Sequence, residues 1–465
     1  MTSPDPVTVL GSLTAIGADE LAARRAAVVS DLDARGVTFG VKDADGLLTG
    51  HEVFDIEPVP RILDRAVWDA LAAGVEQRIR ALDLFLADVY GADRAEDAAI
   101  VRAGRIGAAV IHRAPGYTAL GHRVPAGVTR TRATGADLVC SGTGTAVTDW
   151  AVLEDNVRMP SGLTFALAAR EMTRTHYPEL TALAGDRLTP TTGALELFCE
   201  GLWGAAPKDA AGDTLSRHGV VATEGEQDPT WAEQRTVAEV GGLYPRTRDQ
   251  LTVGPDDHGA PVLWDRVAGR RVDMVYLRVE EQRLPENIGD ALAAGTVGIA
   301  NAPGNGLADD KAVYSFVPEM VRFYLGEEPA LAQVTTWLCA DPSQRLEVLD
   351  RLDELVVKPV DGYGGAGITV GPECTGAQLA RRRAEILADP ASFIAQERVE
   401  LSTLPALDGT DRHVDLRMFS LLGHGVAATV PVGLTRVAPA GSLIVNSSRG
   451  GGGRDTWILT ADPAC

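Results

Sequence analysis

Lysine is scarce in this chain. Among 43 basic residues only Lys42, Lys208, Lys311 and Lys358 are lysines, and all the others are arginines. A lysine that persists beside a run of glycines therefore points to a need for a compact ammonium there, although chance survival stays open. Cysteine is sparse as well: Cys140, Cys199, Cys339, Cys374 and Cys465 are odd in number, scattered, and never spaced as CxxC. Neither a disulfide framework nor a zinc cluster is expected. No Gly-Lys-Ser or Gly-Lys-Thr occurs, which excludes a Walker A loop. No apolar run approaches the roughly 20 residues of a membrane span. The opening MTSPDPVTVL has no basic stretch ahead of an apolar one, so cytoplasm is the expected compartment and no membrane is involved. The net charge of −21 excludes a general nucleic-acid binder, because such a chain repels a phosphate backbone. It suits plain solubility or, alternatively, a cationic substrate such as a polyamine.

What is present is 465 residues of ordinary hydrophobic content, enough for two or three domains. Residues 61–90 carry apolar side chains at helical spacing and predict one or two amphipathic helices. Residues 137–156 predict two strands joined by a Gly/Thr turn, and a helix is expected after Pro160-Ser161-Gly162. Between 215 and 300, short apolar runs alternate with helical stretches, the pattern of a small βαβ unit with a parallel sheet. The stretch "HVDLRMFSLLGHGVAATVPV" predicts a hairpin around Gly423-His424-Gly425.

Two stretches carry chemistry. In "ELVVKPVDGYGGAGITVG", residues 354–371, Val356 and Val357 lead through Lys358 into Gly362, Gly364, Gly365 and Gly367, with Ile368 and Val370 beyond. Such a loop can turn its N–H groups toward an anion while the lysine adds a point charge. The glycines have G-x-G-x-x-G spacing, but no helix plainly starts there, so a dinucleotide fingerprint is not indicated; an irregular turn stays open. In "WAVLEDNVRMPSG", Glu154 and Asn156 alternate by two, so on a strand both face one side while Asp155 faces the other. A carboxylate and an amide oxygen are hard donors of the kind Mg²⁺ takes, and Asp137, beginning the preceding strand, could join them across the hairpin. A solvated polar edge strand is the plain alternative.

An aspartate, a hairpin, then Glu-x-Asn followed by proline and glycine resembles the metal-binding end of the ATP-grasp fold, as in D-alanine–D-alanine ligase and glutathione synthetase. In those enzymes this end follows the lysine–glycine loop; here it precedes it. From about residue 60 to 460 the chain resembles the circularly permuted ATP-grasp family, relatives of glutathionylspermidine synthase. The resemblance is carried by "QRIRALDLFLADVY", "VLEDNVRMPSG", "ADDKAVYSFVPEMVRFYLGEEP", "VVKPVDGYGGAGITVG", "RHVDLRMF", "VGLTRV" and "LIVNSSRGGG". It implies an α/β fold of α+β lobes, a circularly permuted ATP-grasp with an inserted Rossmann-like βαβ (pre-ATP-grasp) domain. The implied division is an N-terminal extension at 1–60, an ATP-grasp part with the metal hairpin at 61–175, the Rossmann-like domain at 176–300, and the rest of the ATP-grasp at 301–465.

By position, the resemblance implies that Lys358 and Lys311 reach the nucleotide, with Gly362, Gly364, Gly365 and Gly367 as a lid over its phosphates. "FIAQERV", with Gln396, Glu397 and Val399, would be the hinge that reads adenine. Arg417, Arg436, Asn446 and Arg158 would hold the γ-phosphate and an acyl phosphate, and Asp137, Glu154 and Asn156 would hold the metal. Arg278 stands alone where an arginine pair is expected, and no cysteine amidase domain accompanies it. The implied activity is ligation of a peptide or small-molecule carboxylate to an amine (a polyamine or an amino acid) with ATP and Mg²⁺ as cofactors. A non-catalytic ATP-binding scaffold and a phosphotransferase are the alternatives, and a protein partner or homo-oligomer stays open. His413, next to the implied phosphate arginines, reads as structural.

Overall fold

The computed structural model describes residues 4–42, 47–208, 216–360, 367–443, 445 and 451–461. Its centre is a mixed sheet in the order Ala332–Gln333, Trp150–Asn156, Ala133–Cys140, Asp411–Gly423, Val426–Val437, Gly453–Leu459, Ile56–Asp64, with Thr403–Pro405 paired to the Asp411–Gly423 strand. The last two strands of that order run parallel, Gly453 opposite Ile56 and Leu459 opposite Asp64, so distant parts of the chain close the sheet together. Period-two alternation divides the side chains between its faces. Trp457 enters the core under the helix Leu163–His176, and its neighbour Ile458 enters the core under the helix Arg65–Gly91.

The Arg65–Gly91 helix forms because Val67, Trp68, Leu71, Val75, Ile79, Leu82, Phe85 and Leu86 recur every three or four residues and are all buried. Each such side chain contributes about 1.5–3 kcal/mol on burial, far more than its helix propensity. The prediction of one or two helices here resolves as one. Its start is later than expected, because residues 61–64 complete a strand whose partner lies at the far end of the sequence.

The 215–300 region contains a parallel sheet in the order Gly298–Ala300, Met274–Leu277, Gly219–Ala222, Leu243–Arg246, crossed by the helix Trp231–Gly241. Its inner strands, Gly-Val-Val-Ala and Met-Val-Tyr-Leu, are buried throughout, as expected for strands covered on both faces. The run "RRVDMVYLRV", which reads as one strand, divides at Asp273. Arg270–Val272 pairs antiparallel with Pro261–Asp265, and Met274–Leu277 enters the parallel sheet. Buried Asp273 accepts from the N–H and Oγ of Ser216 at 2.7 and 2.8 Å, which fixes the crossing point.

A third, antiparallel sheet joins Thr336–Leu338, Phe393–Gln396, Val356–Pro359 and Thr369–Val370. The arginine-rich helix Gly376–Ala388 flanks it and starts at a Thr375/Gln378 capping box legible in "TGAQ". The expected hairpin is present too: Asp411–Gly423 and Val426–Val437 turn through His424 and Gly425. No described helix is long and apolar enough to cross a membrane.

Candidate functional site

The strands Ala133–Cys140 and Trp150–Asn156 pair antiparallel with Asp137 opposite Glu154 and Gly135 opposite Asn156. Asp137 sits inside its strand and not at its start as expected. The phase read from the sequence places the next three residues: Glu154 and Asn156 face a cavity of about 570 Å³, which Asp137 also lines. Asp155 faces away and is buried against Arg78, with Arg78 Nε and Nη2 donating to its carboxylate at 3.0 and 2.5 Å. Asn156 Nδ2 donates to the Gly135 carbonyl at 3.0 Å, which turns its Oδ1 outward.

One end of the cavity is built from arginines locked by acids. Arg417 Nε and Nη2 donate to Asp137 Oδ1 and Oδ2 at 2.6 and 2.8 Å. Arg436 Nη2 lies 2.8 Å from the same Oδ2 and also forms a bidentate pair with Asp415 at 2.9 and 2.6 Å. Burial alone would raise the Asp137 carboxyl, but the two guanidinium groups outweigh it and hold it down at about 2. Burial prevails at Asp415 and raises its carboxyl, Arg436 opposing. Asp415 was not singled out in the sequence; its signal was the Asp-Leu-Arg alternation that puts it on the same strand face as Arg417.

The lysines supply the other pole. Lys358 lies on the Val356–Pro359 strand, and its Nζ donates to Gln396 Oε1 at 2.5 Å. Burial pushes it down to about 8, with nearby Lys311 pushing the same way and Glu154 and Asp137 opposing. Lys311 Nζ donates to Glu154 Oε1 at 3.1 Å. Arg158 also lines the cavity; it bonds Glu280 Oε2 at 2.6 Å and lies 3.5 Å from Asp309, whose carboxyl burial raises to about 6 against the pull of Arg158.

Gln396, Glu397 and Val399 line the same cavity. The Gln396 side chain is committed to Lys358 and, through Nε2, to Thr336 Oγ1 at 3.1 Å. Glu397 sends its carboxylate to Arg351 at 3.0 Å, and its N–H goes to the Thr335 carbonyl. Gly367 stands at the foot of the glycine loop, its carbonyl accepting from Arg382 at 2.8 Å. Gly362, Gly364, Gly365 and Asn446 lie outside the described residues. Arg278, buried in the cavity wall, donates to the Pro160 carbonyl at 2.7 Å and to Thr230 Oγ1 at 3.0 Å. Sequence reasoning gave no role to Phe39, Phe54 or Phe165, which also line this cavity.

The donor set fits a divalent cation. No group of three or more His, Cys, Asp or Glu side chains suited to a metal occurs among the described residues, so any site here depends on the amide of Asn156. Asp137 is already shared between the Arg417 and Arg436 guanidinium groups and Glu154 Oε1 accepts from Lys311, so the oxygens offered to an ion are mainly the second carboxylate oxygen of Glu154 and Asn156 Oδ1, with Asp137 beside them. Oxygens of this hard type are those Mg²⁺ prefers.

A family model described as circularly permuted ATP-grasp type 2 matches residues 60–438. A Frankia casuarinae protein provisionally named glutamate–cysteine ligase 2-2 is 40% identical over 98% of this chain and 52% of its own length. The chain spans about half the length of the two Frankia relatives it matches. An uncharacterized protein of Synechocystis is 36% identical across 91% of this chain and 88% of its own, and one of Mycobacterium tuberculosis is 36% identical across 97% and 81%. Among solved structures, a glutathione synthetase-like effector from Globodera pallida, in its apo form, superposes with a TM-score of 0.61 at 12% identity, covering 98% of both chains. That likeness concerns the fold alone.

Proposed function

The chain belongs to the circularly permuted ATP-grasp type 2 family, and from that membership we propose that it is a Mg²⁺–ATP-dependent ligase joining a carboxylate to an amine through an acyl phosphate. One observation carries the reading: Lys311, Lys358, Arg417 and Arg436 converge with Glu154, Asn156 and Asp137 on a single cavity. Four cations around one space suit a polyphosphate, and the oxygen donors suit the ion that accompanies it.

A carboxylate is a poor electrophile. Attack of its oxygen on the γ-phosphorus, with ADP as the leaving group, converts it to an acyl phosphate; the amine then displaces phosphate and loses a proton. Glu154 and Asn156, with Asp137 beside them, would hold Mg²⁺, which when bound would supply charge neutralisation at the phosphate oxygens. Lys358 and Lys311 bind the nucleotide phosphates. Arg417 and Arg436 bear on the transferred group, held rigid by Asp137 and Asp415 so that little reorganisation is needed when charge moves. Gln396 fixes the Lys358 ammonium from the side of the adenine hinge, which residues 396–399 form. No general base is required for the first step, because the nucleophile is already an anion.

The Frankia names make glutamate and cysteine the first acid and amine to offer, with polyamines and other amino acids after them. The test is interception. With a competent acid, ATP and Mg²⁺ but no amine, hydroxylamine should give a hydroxamate alongside ADP and phosphate. AMP and pyrophosphate, or a stable phosphorylated alcohol, would overturn the mechanism.

A further inference from the structure

The described residues ahead of position 60 precede the segment matched by the family model, yet they pack into the core. Val9, Leu13, Val28 and Leu32 are buried in the same core as Phe165 and Trp457. The hairpin of Thr38–Lys42 and Leu48–Val53 rests on the 228–230 loop. Gly40 N donates to the Pro229 carbonyl at 2.8 Å, and His51 Nε2 lies 3.0 Å from the Asp228 carbonyl. A Cβ on Gly40 would come within 2.5 Å of Pro229 Cα, so only glycine lets the two backbones approach this closely.

That seat brings aromatic rings to the cavity. Phe39 meets Phe165 edge-on with 5.6 Å between centroids, and Phe54 lies 4.8 Å from the same ring. All three line the space that also holds Arg436 and Lys358, although phosphate chemistry has no use for them. Their place relative to the arginines says which substrate they would touch. Gly453 is the register partner of Arg436, and a Cβ there would lie 2.8 Å from Phe54 Cε1 and 3.1 Å from Leu434 Cδ1. Leu434 stands two residues before Arg436 on one strand and shares its face. The apolar wall thus adjoins the arginine end, where the transferred group meets its acceptor.

We propose that Phe39, Phe54, Phe165 and Leu434 form a side-chain subsite for the carboxylate substrate, selecting an acid that carries an aryl or branched aliphatic group. Assigning the subsite to the acid rests on the ligase reading; the apolar preference itself does not. A ring seated there loses its contact with water mainly against half-buried Phe39, with Phe54, Phe165 and Leu434, buried in the core, backing it, whereas a short or charged side chain gains nothing from this wall.

Ligand-observed NMR on the full chain, with and without ADP and Mg²⁺, can compare phenylacetate, acetate, L-glutamate and phenethylamine. Phenylacetate should bind roughly tenfold or more tighter than acetate or L-glutamate. Phe39 is only half-buried, so Phe39→Ala should fold, as circular dichroism and an unchanged ADP affinity would verify. That variant should lose about tenfold in phenylacetate affinity, and Phe39→Leu, which stays apolar, should lose less. Equal binding of acetate and phenylacetate, undiminished phenylacetate binding in Phe39→Ala, or a preference for phenethylamine would each overturn the proposal. Hydroxamate formation separates the two readings. Phenylacetate bound tightly but never activated, across a broad acid panel, would count against the ligase and leave the apolar subsite standing. ADP-forming turnover of L-glutamate without phenylacetate binding would do the reverse.

Discussion

Lys358→Met should make the unliganded protein more stable and ATP binding much weaker. Burial and the neighbouring Lys311 push this lysine down to about 8 from an ordinary value of 10.5. The shift corresponds to a folding penalty of roughly 3 kcal/mol for holding the charge. A base with a lowered folded pKa carries that penalty in full below about pH 8, and it is relieved as pH rises from 8 toward 10.5. Methionine removes the penalty but leaves Gln396 Oε1 without its donor, which costs about 1–3 kcal/mol. The expected net is a gain of about 0–2 kcal/mol, read as a melting point unchanged or a few degrees higher. Loss of the charge-assisted contact to phosphate should weaken ATP by about 1.5–3 kcal/mol, roughly tenfold to more than a hundredfold. Wild-type protein near pH 8 should also take up a fraction of a proton when ATP binds, because the phosphates restore the lysine's charge. Calorimetry in two buffers of different ionisation enthalpy measures that uptake. Affinity should be highest below pH 8 and decline above it. A variant that melts well below wild type, or that binds ATP as well, would refute the reasoning, as would binding with no proton uptake at pH 8.

The neighbouring acids Glu154 and Asp155 should separate by phenotype. Glu154→Gln should cut turnover on the order of a hundredfold or more while changing the fold little. Asp155→Asn should leave nucleotide affinity nearly intact but lower stability by about 3–5 kcal/mol in urea unfolding, because it leaves the Arg78 guanidinium buried without its anion. The opposite ranking would mean that the strand phase is off by one residue. Asp415→Asn weakens the bidentate grip on Arg436 and should lower kcat about tenfold with KM for ATP unchanged; an unaltered kcat would show that Asp137 alone positions that arginine.

The local parts of the site were legible because they follow from short-range rules. Period two put Glu154 and Asn156 on one face and Asp155 on the other, and the helix after Gly162 and the hairpin at His424–Gly425 stand where turn residues placed them. What escaped depends on partners far along the chain. Nothing near Asp137 announces that its carboxylate is held by arginines at 417 and 436, and the aromatic wall comes from positions 39, 54 and 165. Lys358, read at the mouth of the glycine loop, belongs to the strand itself because Val356 and Val357 carry the pairing with Phe393–Gln396 through to Pro359. The strand at Ile56–Asp64 was overlooked for the same reason that Asp273 was missed as a break: each is decided by which sheet the chain joins, and neither choice is written locally.

The parallel pairing of Gly453–Leu459 with Ile56–Asp64 sets the order in which a ribosome can deliver this fold. Bringing these strands together closes a loop of roughly 400 residues, which costs about 3 kcal/mol more chain entropy than closing a ten-residue hairpin. Until the Gly453–Leu459 segment leaves the exit tunnel, the backbone edges of Ile56–Asp64 and Val426–Val437 stay unpaired. The carbonyls of Val59, Leu404 and Pro405 also wait for the buried Arg454 guanidinium. The Ile56–Asp64 strand therefore waits with an open sheet edge while roughly 400 further residues are made, and Arg436 gains its register partner Gly453 only when the Gly453–Leu459 strand docks.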